Sequence, residues 1–484
     1  MCGIVGIVSS STVNQQVYDA LGLLQHRGQD STGIATAEGR TFHIHKARGQ
    51  VREAYRTRDM RSLLGTMGLG HVRYATRGTA SSEQEAQPFY VNAPYGIILV
   101  HNGNLTNTRE LTQELFHVDR RHLNTNSDTE LLVNVLAHEL QAQVTSEQLD
   151  PDQVFNAIER VHERVEGSYA AIAMIAGQGL LAFRDPFGIR PLVLGRREGR
   201  DHDEWVVASE SLVLEAGGYE VIRDVAPGEA VFISMQGEMV SRQCAKNPVL
   251  VPCSFEYVYL ARPDSIMNGI SVYEARLRLG NRLADTVAKH APLGDIDVVM
   301  PIPDSSRPAA MQVAQKLGVE YREGFYKNRY VGRTFIMPGQ EQRTRSVRQK
   351  LNAMSSEFKG KNVLIVDDSI VRGTTSREIV DMARAAGANK VTFTSAAPPV
   401  RYPHVYGINM PTRHELIAHD RKIPEIAQAL HADHLIYQEV EDMHAAIVEG
   451  SSVKDLEMSP FTGQYVTGSV SPEYLNWVEA NQAS

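Results

Sequence analysis

Asp367 and Asp368 stand directly behind a short apolar run, Val363 to Val366, and lead into Ser369, Ile370, Val371, Arg372, Gly373, Thr374 and Thr375. A run of this kind reads as a buried parallel strand. From Ser376 a helical pattern follows, with Ile379, Val380, Met382, Ala383 and Ala386 on one side and Gly387 as the stop. Backbone N–H groups at such a helix start form an anion site. The two acids would repel a phosphate. They suit a neighbouring diol, or a metal carried in by the substrate. A phosphate cradle with two carboxylates beside it fits a ribose 5-phosphate. No Gly-Lys-Ser/Thr closes the loop, so it is not a Walker loop. The bland alternative is a solvated acidic turn.

Cys2 is the second reactive candidate. If Met1 is removed, Cys2 carries a free α-amino group with a pKa near ~8, partly neutral at pH 7. That amine can act as general base for its own thiol, directly or through a water. Taken alone, Cys2 also suits a buried structural thiol. Four later stretches are rich in donors: Leu23 to Ile34, Gly68 to Thr76, Ile98 to Leu105, and Asn126 to Leu132. Each has a bland reading by itself. Asn102-Gly103 reads as a hairpin turn that breaks an apolar strand. Ser127 or Asp128 reads as a helix N-cap, and Arg73 as a surface charge.

These residues need a large scaffold, and 484 residues allow two or three domains. The chain is 42% hydrophobic and 22% charged, ordinary for a soluble globular protein. A net charge of −8 argues against nucleic acid as a main partner. No apolar stretch is long enough to span a bilayer and no signal segment opens the chain, so no membrane association and a cytoplasmic location are expected. Three cysteines, Cys2, Cys244 and Cys253, are too few for a disulfide framework or a four-thiolate cluster. Gln236 to Cys253 is polar and reads as a connecting segment. Phe255 to Ser265 is richer in aromatics and suits an interface strand. Strands and helices then alternate, at 297–301, 307–317, 361–366, 376–386 and 390–396, which implies a mainly parallel sheet. Between them, Arg322 to Lys350 concentrates positive charge with little apolar periodicity. That stretch suits a lid over a pyrophosphate-bearing substrate, with Lys327 and Arg333 reaching the leaving group. A solvated basic loop is the alternative.

Cys2-Gly-Ile with the four donor-rich stretches, in this order, resembles the class II glutamine amidotransferases, a branch of the N-terminal nucleophile hydrolases. The resemblance implies that Cys2 attacks the glutamine amide. Arg73 would pair with the substrate α-carboxylate and Asp128 with its α-ammonium. Asn102 and Gly103 would form the oxyanion hole, with Gly33 and His71 as walls. The Asp367–Thr375 loop is similar to the signature of type I phosphoribosyltransferases. That likeness places Asp367, Asp368, Ser369, Ile370, Val371, Arg372, Gly373, Thr374 and Thr375 on a phosphoribosyl diphosphate. Ser305, Asp367 and Asp368 would lie at one Mg²⁺ per subunit, although Ser305 also suits a plain helix N-cap.

The whole chain resembles the family of glutamine-dependent phosphoribosylpyrophosphate amidotransferases. The implied fold is an α+β N-terminal nucleophile domain, an αββα sandwich, over 2–235. A linker over 236–254, an α/β phosphoribosyltransferase domain with a mainly parallel sheet over 255–467, and a peripheral tail over 468–484 would follow. The expected chemistry is ammonia release from glutamine and its transfer to 5-phosphoribosyl 1-diphosphate, through a dry passage, as the first committed step of purine synthesis. The family implies inhibition by purine nucleotides and a homotetramer. With Cys2 next to the initiator and few cysteines, the chain looks like the subgroup without an iron–sulfur cluster or propeptide. Glucosamine-6-phosphate synthase and asparagine synthetase share the first half, but the Asp367–Thr375 loop speaks against both. A non-catalytic sensor of the diphosphate sugar would need neither Cys2 nor the basic lid.

Overall fold

The computed structural model describes residues 2–74, 83–291, 293–328 and 351–482. Its first half holds strands β1 (Gly3–Val8), β2 (Ser31–Glu38), β3 (Thr41–Arg48), β4 (Met67–Arg73), β5 (Phe89–Val91), β6 (Ile97–Leu105) and β7 (Gly167–Ile175). Then come β8 (Gly179–Arg184), β9 (Val193–Arg197), β10 (Glu204–Ala208), β11 (Glu220–Asp224), β12 (Glu229–Ser234) and β13 (Met239–Gln243). One antiparallel sheet runs β11-β9-β10-β1-β4-β2-β3 and a second runs β13-β12-β8-β7-β6-β5.

Continuous apolar strands such as β1 and β7 must be buried on both faces, and they are. Side-chain alternation splits each strand between two layers. Ile4, Val8 and Leu69 meet Ile98, Val100 and Ile172 between the sheets. Val5, Ile7 and Val72 instead pack outward under the helix Asn14–Leu23. Helices Asp128–Gln143 and Pro151–Arg164 cover the other sheet through Leu132, Leu136, Ile158 and Leu99. The result is the expected αββα sandwich.

The second half adds the short hairpin β14 (Ile266–Met267) and β15 (Ile270–Ser271), then β16 (Val298–Pro301), β17 (Glu320–Tyr321), β18 (Phe325–Lys327) and β19 (Leu351–Ala353). It closes with β20 (Asn362–Asp367), β21 (Lys390–Ser395) and β22 (His434–Tyr437). Its main sheet runs β17-β16-β20-β21-β22, with every pairing parallel. The Val-rich β20 is buried at its centre, as a parallel strand with helices on both faces requires. Among the described residues no helix is long and apolar enough to cross a membrane.

Four local readings change. β6 does not break at Asn102-Gly103: it pairs with β7 without interruption from Ile97 to Leu105. Residues 256–260, expected as an interface strand, form a π-helical turn, Glu256–Leu260. The helix after the acidic loop begins at Thr374 rather than Ser376, because Gly373 at φ 76° turns the chain straight into it. The polar stretch after Met235 does more than connect, since β13 extends the second sheet beside β12. The final residues form a helix, Pro472–Gln482, with Glu479 gripped by Arg413.

Candidate functional site

Cys2 lies at the head of β1, the middle strand of the first sheet, 6% exposed. Its backbone N–H donates to Asn102 Oδ1 at 3.1 Å, across the gap between the sheets. Asn102 is buried and its Nδ2 has no hydrogen-bond partner among the described residues. A buried amide donor left open beside a thiol is what an oxyanion would fill. The next residue, Gly103, must lack a side chain: a Cβ there would lie 2.0 Å from Ser168 O. The same holds for Gly33, where a Cβ would lie 2.0 Å from Gln87 O.

The expected glutamine ligands gather around this point. Arg73 ends β4 and pairs with Glu85 at 2.8 Å, both buried. A guanidinium held by a protein carboxylate is ready for a substrate carboxylate in kind. Asp128 opens its helix, with Ser127 as the N-cap, and its Oδ2 accepts the Leu105 N–H at 3.2 Å. His71, two residues before Arg73, is fully buried with neither ring nitrogen partnered among the described residues. Burial, then the neighbouring Arg73 charge, pushes its pKa down to about 3, so it is neutral at physiological pH.

In the second half, the carboxyl ends of neighbouring β16 and β20 carry the loops with Ser305 and with Asp367 and Asp368. Ligands bind at this end of an open parallel sheet. Asp368 Oδ2 accepts Ser305 Oγ at 2.5 Å and Oδ1 accepts Ser369 Oγ at 2.7 Å. Asp367 Oδ1 accepts the Asp368 N–H at 2.9 Å. Burial and the repulsion of Asp368 push the Asp367 carboxyl well above the usual range, and burial raises Asp368 also. Such a pair is short of positive charge. Ile370 is buried, Val371 anchors the loop by accepting the Ile417 N–H at 2.9 Å, and Thr374 and Thr375 form the first helical turn. A Cβ on Gly373 would lie 2.2 Å from Ile417 Cδ1. Arg372 reaches outward to Glu415 at 3.3 Å. Lys327, at the end of β18, pairs with Asp304 at 2.8 Å in the Ser305 loop. Arg333 lies outside the described residues.

The two sites share a seam. Asn104 Nδ2, one residue past Gly103, donates to Val405 O at 2.8 Å, and Ser168 Oγ to Tyr406 O at 2.9 Å. Gly407 (φ 99°) packs so closely that its Cβ would lie 2.8 Å from Gly103 C and O. Sequence reasoning missed this 405–408 loop, and missed Arg27, whose Nε donates to Cys2 O at 3.0 Å. Arg27 sits inside a quoted donor-rich stretch, but its partners are distant in sequence. Also missed was the buried group of Cys253, His404 and Glu457. His404 Nδ1 accepts the N–H groups of Tyr406 and Ile408, each at 3.2 Å. Its proton therefore sits on Nε2 and goes to Glu457 Oε2 at 3.1 Å. A metal at Nε2 would force that proton toward two N–H donors, so the group is a hydrogen-bonded junction that shapes the 405–408 loop. Burial pushes the Cys253 thiol up to about 12, which keeps it protonated.

Comparison with known proteins agrees with both halves. A glutamine amidotransferase domain model matches residues 71–216, and a phosphoribosyl transferase domain model matches 271–407. An amidophosphoribosyltransferase of Pseudomonas aeruginosa is 55% identical over 99% of this chain and 95% of its own. That of Escherichia coli is 54% identical over 99% of this chain and 95% of its own. A solved glutamine phosphoribosylpyrophosphate amidotransferase from B. subtilis, complexed with ADP and GMP, superposes with a TM-score of 0.84 at 37% identity, over 97% of this chain and 98% of that one. A structure described as the allosteric regulatory enzyme of purine biosynthesis gives 0.86 at 37% identity, over 99% of both. With a buried cysteine bound to an asparagine whose amide donor is open in one half, a buried acid pair at a parallel sheet's carboxyl edge in the other, and whole-length relatives of one kind, this chain belongs to the amidophosphoribosyltransferase family.

Proposed function

We infer that the chain takes ammonia from glutamine and joins it to 5-phosphoribosyl 1-diphosphate. The products are 5-phosphoribosylamine, glutamate and diphosphate, the opening step of purine nucleotide synthesis. The observation that carries this reading is the buried Asp367–Asp368 pair beside Ser305, on the same chain as a Cys2 bound to Asn102.

We assign the residues as follows. Removal of Met1 frees the Cys2 amine, which takes the thiol proton as sulfur attacks the glutamine amide carbon. The oxyanion turns toward Asn102 Nδ2 and the Gly103 N–H. Collapse expels ammonia and leaves a glutamyl thioester, which water hydrolyses to glutamate. Arg73 and Asp128 hold the two ends of free glutamine, and Gly33 and His71 wall the site. Asp367 and Asp368 hold the ribose side of the second substrate. The backbone from Ser369 to Thr375 cradles its 5-phosphate, and Lys327 and Arg333 face the diphosphate. Ammonia attacks C1 of the ribose as diphosphate departs. A dry route between the sites keeps ammonia unprotonated.

The second site fits one Mg²⁺ per subunit. Ser305, Asp367 and Asp368 offer hard oxygen donors, and a divalent cation would offset the burial that raises both carboxyls and the repulsion that adds to it at Asp367. When bound, the ion offsets charge on the departing diphosphate. The B. subtilis protein was solved with ADP and GMP. By analogy we propose purine nucleotides as inhibitors here. A homotetramer, a cytoplasmic location, and a division into a glutaminase half, a connecting segment and a phosphoribosyl half complete the proposal.

The test is a pair of rates. Cys2→Ala should end glutamine use and leave synthesis from high added ammonia intact. Loss of both rates would count against separable sites, and retained glutamine use would exclude Cys2 as the nucleophile.

A further inference from the structure

We propose that Glu256, supplied by the second half, is a positioning residue for both the nucleophile and the oxyanion strand of the glutamine site. This rests on the glutaminase reading above. Glu256 is the first residue of the π-helical turn and is 2% exposed. Its Oε1 accepts two arginines from the first half, Arg27 Nη2 at 2.7 Å and Arg190 Nη1 at 2.9 Å. Each arginine leads to one side of the catalytic centre.

Arg27 is fully buried and holds the backbone carbonyl of Cys2 through Nε at 3.0 Å. Its Nη1 donates to Glu210. Glu210 is itself tied to the second half, since its Oε2 accepts the Arg262 N–H at 3.0 Å and Ser265 Oγ at 2.6 Å. Both carboxylates that set the Arg27 guanidinium therefore answer to the second half. Arg190 donates through Nε and Nη2 to Tyr406 O, at 2.8 and 2.6 Å. Tyr406 O also accepts Ser168 Oγ, and the adjoining Gly407 packs on Gly103. One carboxylate oxygen thus fixes the distance between the residue that attacks and the strand that receives the oxyanion.

The same turn is linked toward the second site through Arg276, in the helix that follows it. Arg276 donates to Tyr257 O at 2.9 Å, within the turn, and to Ala261 O at 2.8 Å, just after it, and lies in the field of Asp368. π-Turns are rare and are found frequently at functional positions. Placed here, the turn makes glutamine chemistry depend on the half that consumes the ammonia.

Glu256→Gln tests this with little steric change. Glu256 Oε2 has no hydrogen-bond partner among the described residues, so an amide nitrogen at that position leaves both arginine contacts of Oε1 in place. Glutamine-dependent kcat should fall about tenfold to a hundredfold, the scale of a sub-ångström to 1 Å misplacement. The KM for glutamine and the rate with added ammonia should stay within about twofold, and alkylation of Cys2 by iodoacetamide should slow in step with kcat. Glu256→Asp keeps the charge but is too short to reach both arginines, and should show the same split if the Gln variant folds poorly. An unchanged glutamine kcat overturns the proposal. So does an equal loss with both nitrogen sources, which marks a general structural role. Failure of the glutaminase reading itself shows separately, as glutamine use that survives Cys2→Ala.

Discussion

Asn102 presents its carbonyl end to Cys2 and keeps its amide end open: Oδ1 takes the Cys2 N–H at 3.1 Å while Nδ2 is buried and unpartnered. On the proposed assignment, one side chain orients the nucleophile and offers a donor to the charge that the nucleophile creates. Asn102→Asp retains the acceptor and removes the donor. Glutamine hydrolysis should fall by about 10²–10³ in kcat, as for loss of one oxyanion donor. Synthesis from added ammonia, measured as diphosphate release, should persist. Full glutamine activity in the variant would remove Nδ2 from the oxyanion site.

Asp367 and Asp368 stand or fall together, because Asp367 accepts the Asp368 N–H and the adjacent Ser306 and Ser305 hold one carboxylate each. The double variant Asp367→Asn, Asp368→Asn should abolish phosphoribosylamine formation from either nitrogen source. The basal glutaminase should remain. Synthesis at the parent rate would refute the ribose and metal assignment.

The seam leaves no space for a methyl group. Gly407→Ala would put Cβ 2.8 Å from Gly103 C and O at a φ of 99° that side chains avoid. The cost should be about 1–3 kcal/mol, seen as a lower Tm in calorimetry. Because the clash falls on Gly103, glutamine kcat should drop more than the ammonia-dependent rate. An unaltered Tm would mean that the two loops separate freely.

His71 should not titrate near neutrality. Burial and the Arg73 charge hold its pKa at about 3, so labelled-histidine NMR should show a neutral ring from pH 5 to 8. An acid limb of glutaminase activity in that range must come from another group. A His71 midpoint near 6.5 would contradict the buried site.

Asp185 gives a stability signature. It accepts N–H groups from Tyr169, Phe187 and Ile189, yet burial raises its pKa to about 6 against the lowering effect of Arg184. A raised carboxyl favours the fold below the unfolded pKa, where both states are protonated. That advantage is lost as pH climbs from about 4 to about 6, by about 3 kcal/mol at 1.36 kcal/mol per unit. Asp185→Asn should flatten this part of the stability–pH curve, read by urea melts, even though the variant is weaker throughout. An equally steep curve would place the titration elsewhere.

What the chain revealed in advance follows from range. The acidic loop was readable because strand, acids, glycine and helix lie within about a dozen consecutive residues, each with a local physical reason. The glutamine residues were readable as separate stretches whose order matched a family. Local rules failed at Asn102-Gly103, where turn propensity was overridden by nine residues of pairing with β7. They failed again at Glu256–Leu260, whose aromatic content suggests a strand but whose turn is held by Arg276 from the next helix. The contacts among Arg27, Glu210 and Glu256 span 183 and 229 positions, and no spacing in the sequence announces them.

The reach of the Arg27–Glu256 ion pair also has a bearing on how the protein is made. Ribosomes build chains from the amino end, so Cys2, Arg73, Asn102 and Asp128 all emerge well before Glu256. A nascent polypeptide therefore carries the four residues assigned to glutamine before the carboxylate that sets Arg27 has been added. On the proposed role of Glu256, a chain still lacking that residue would hydrolyse free glutamine more slowly than the finished one.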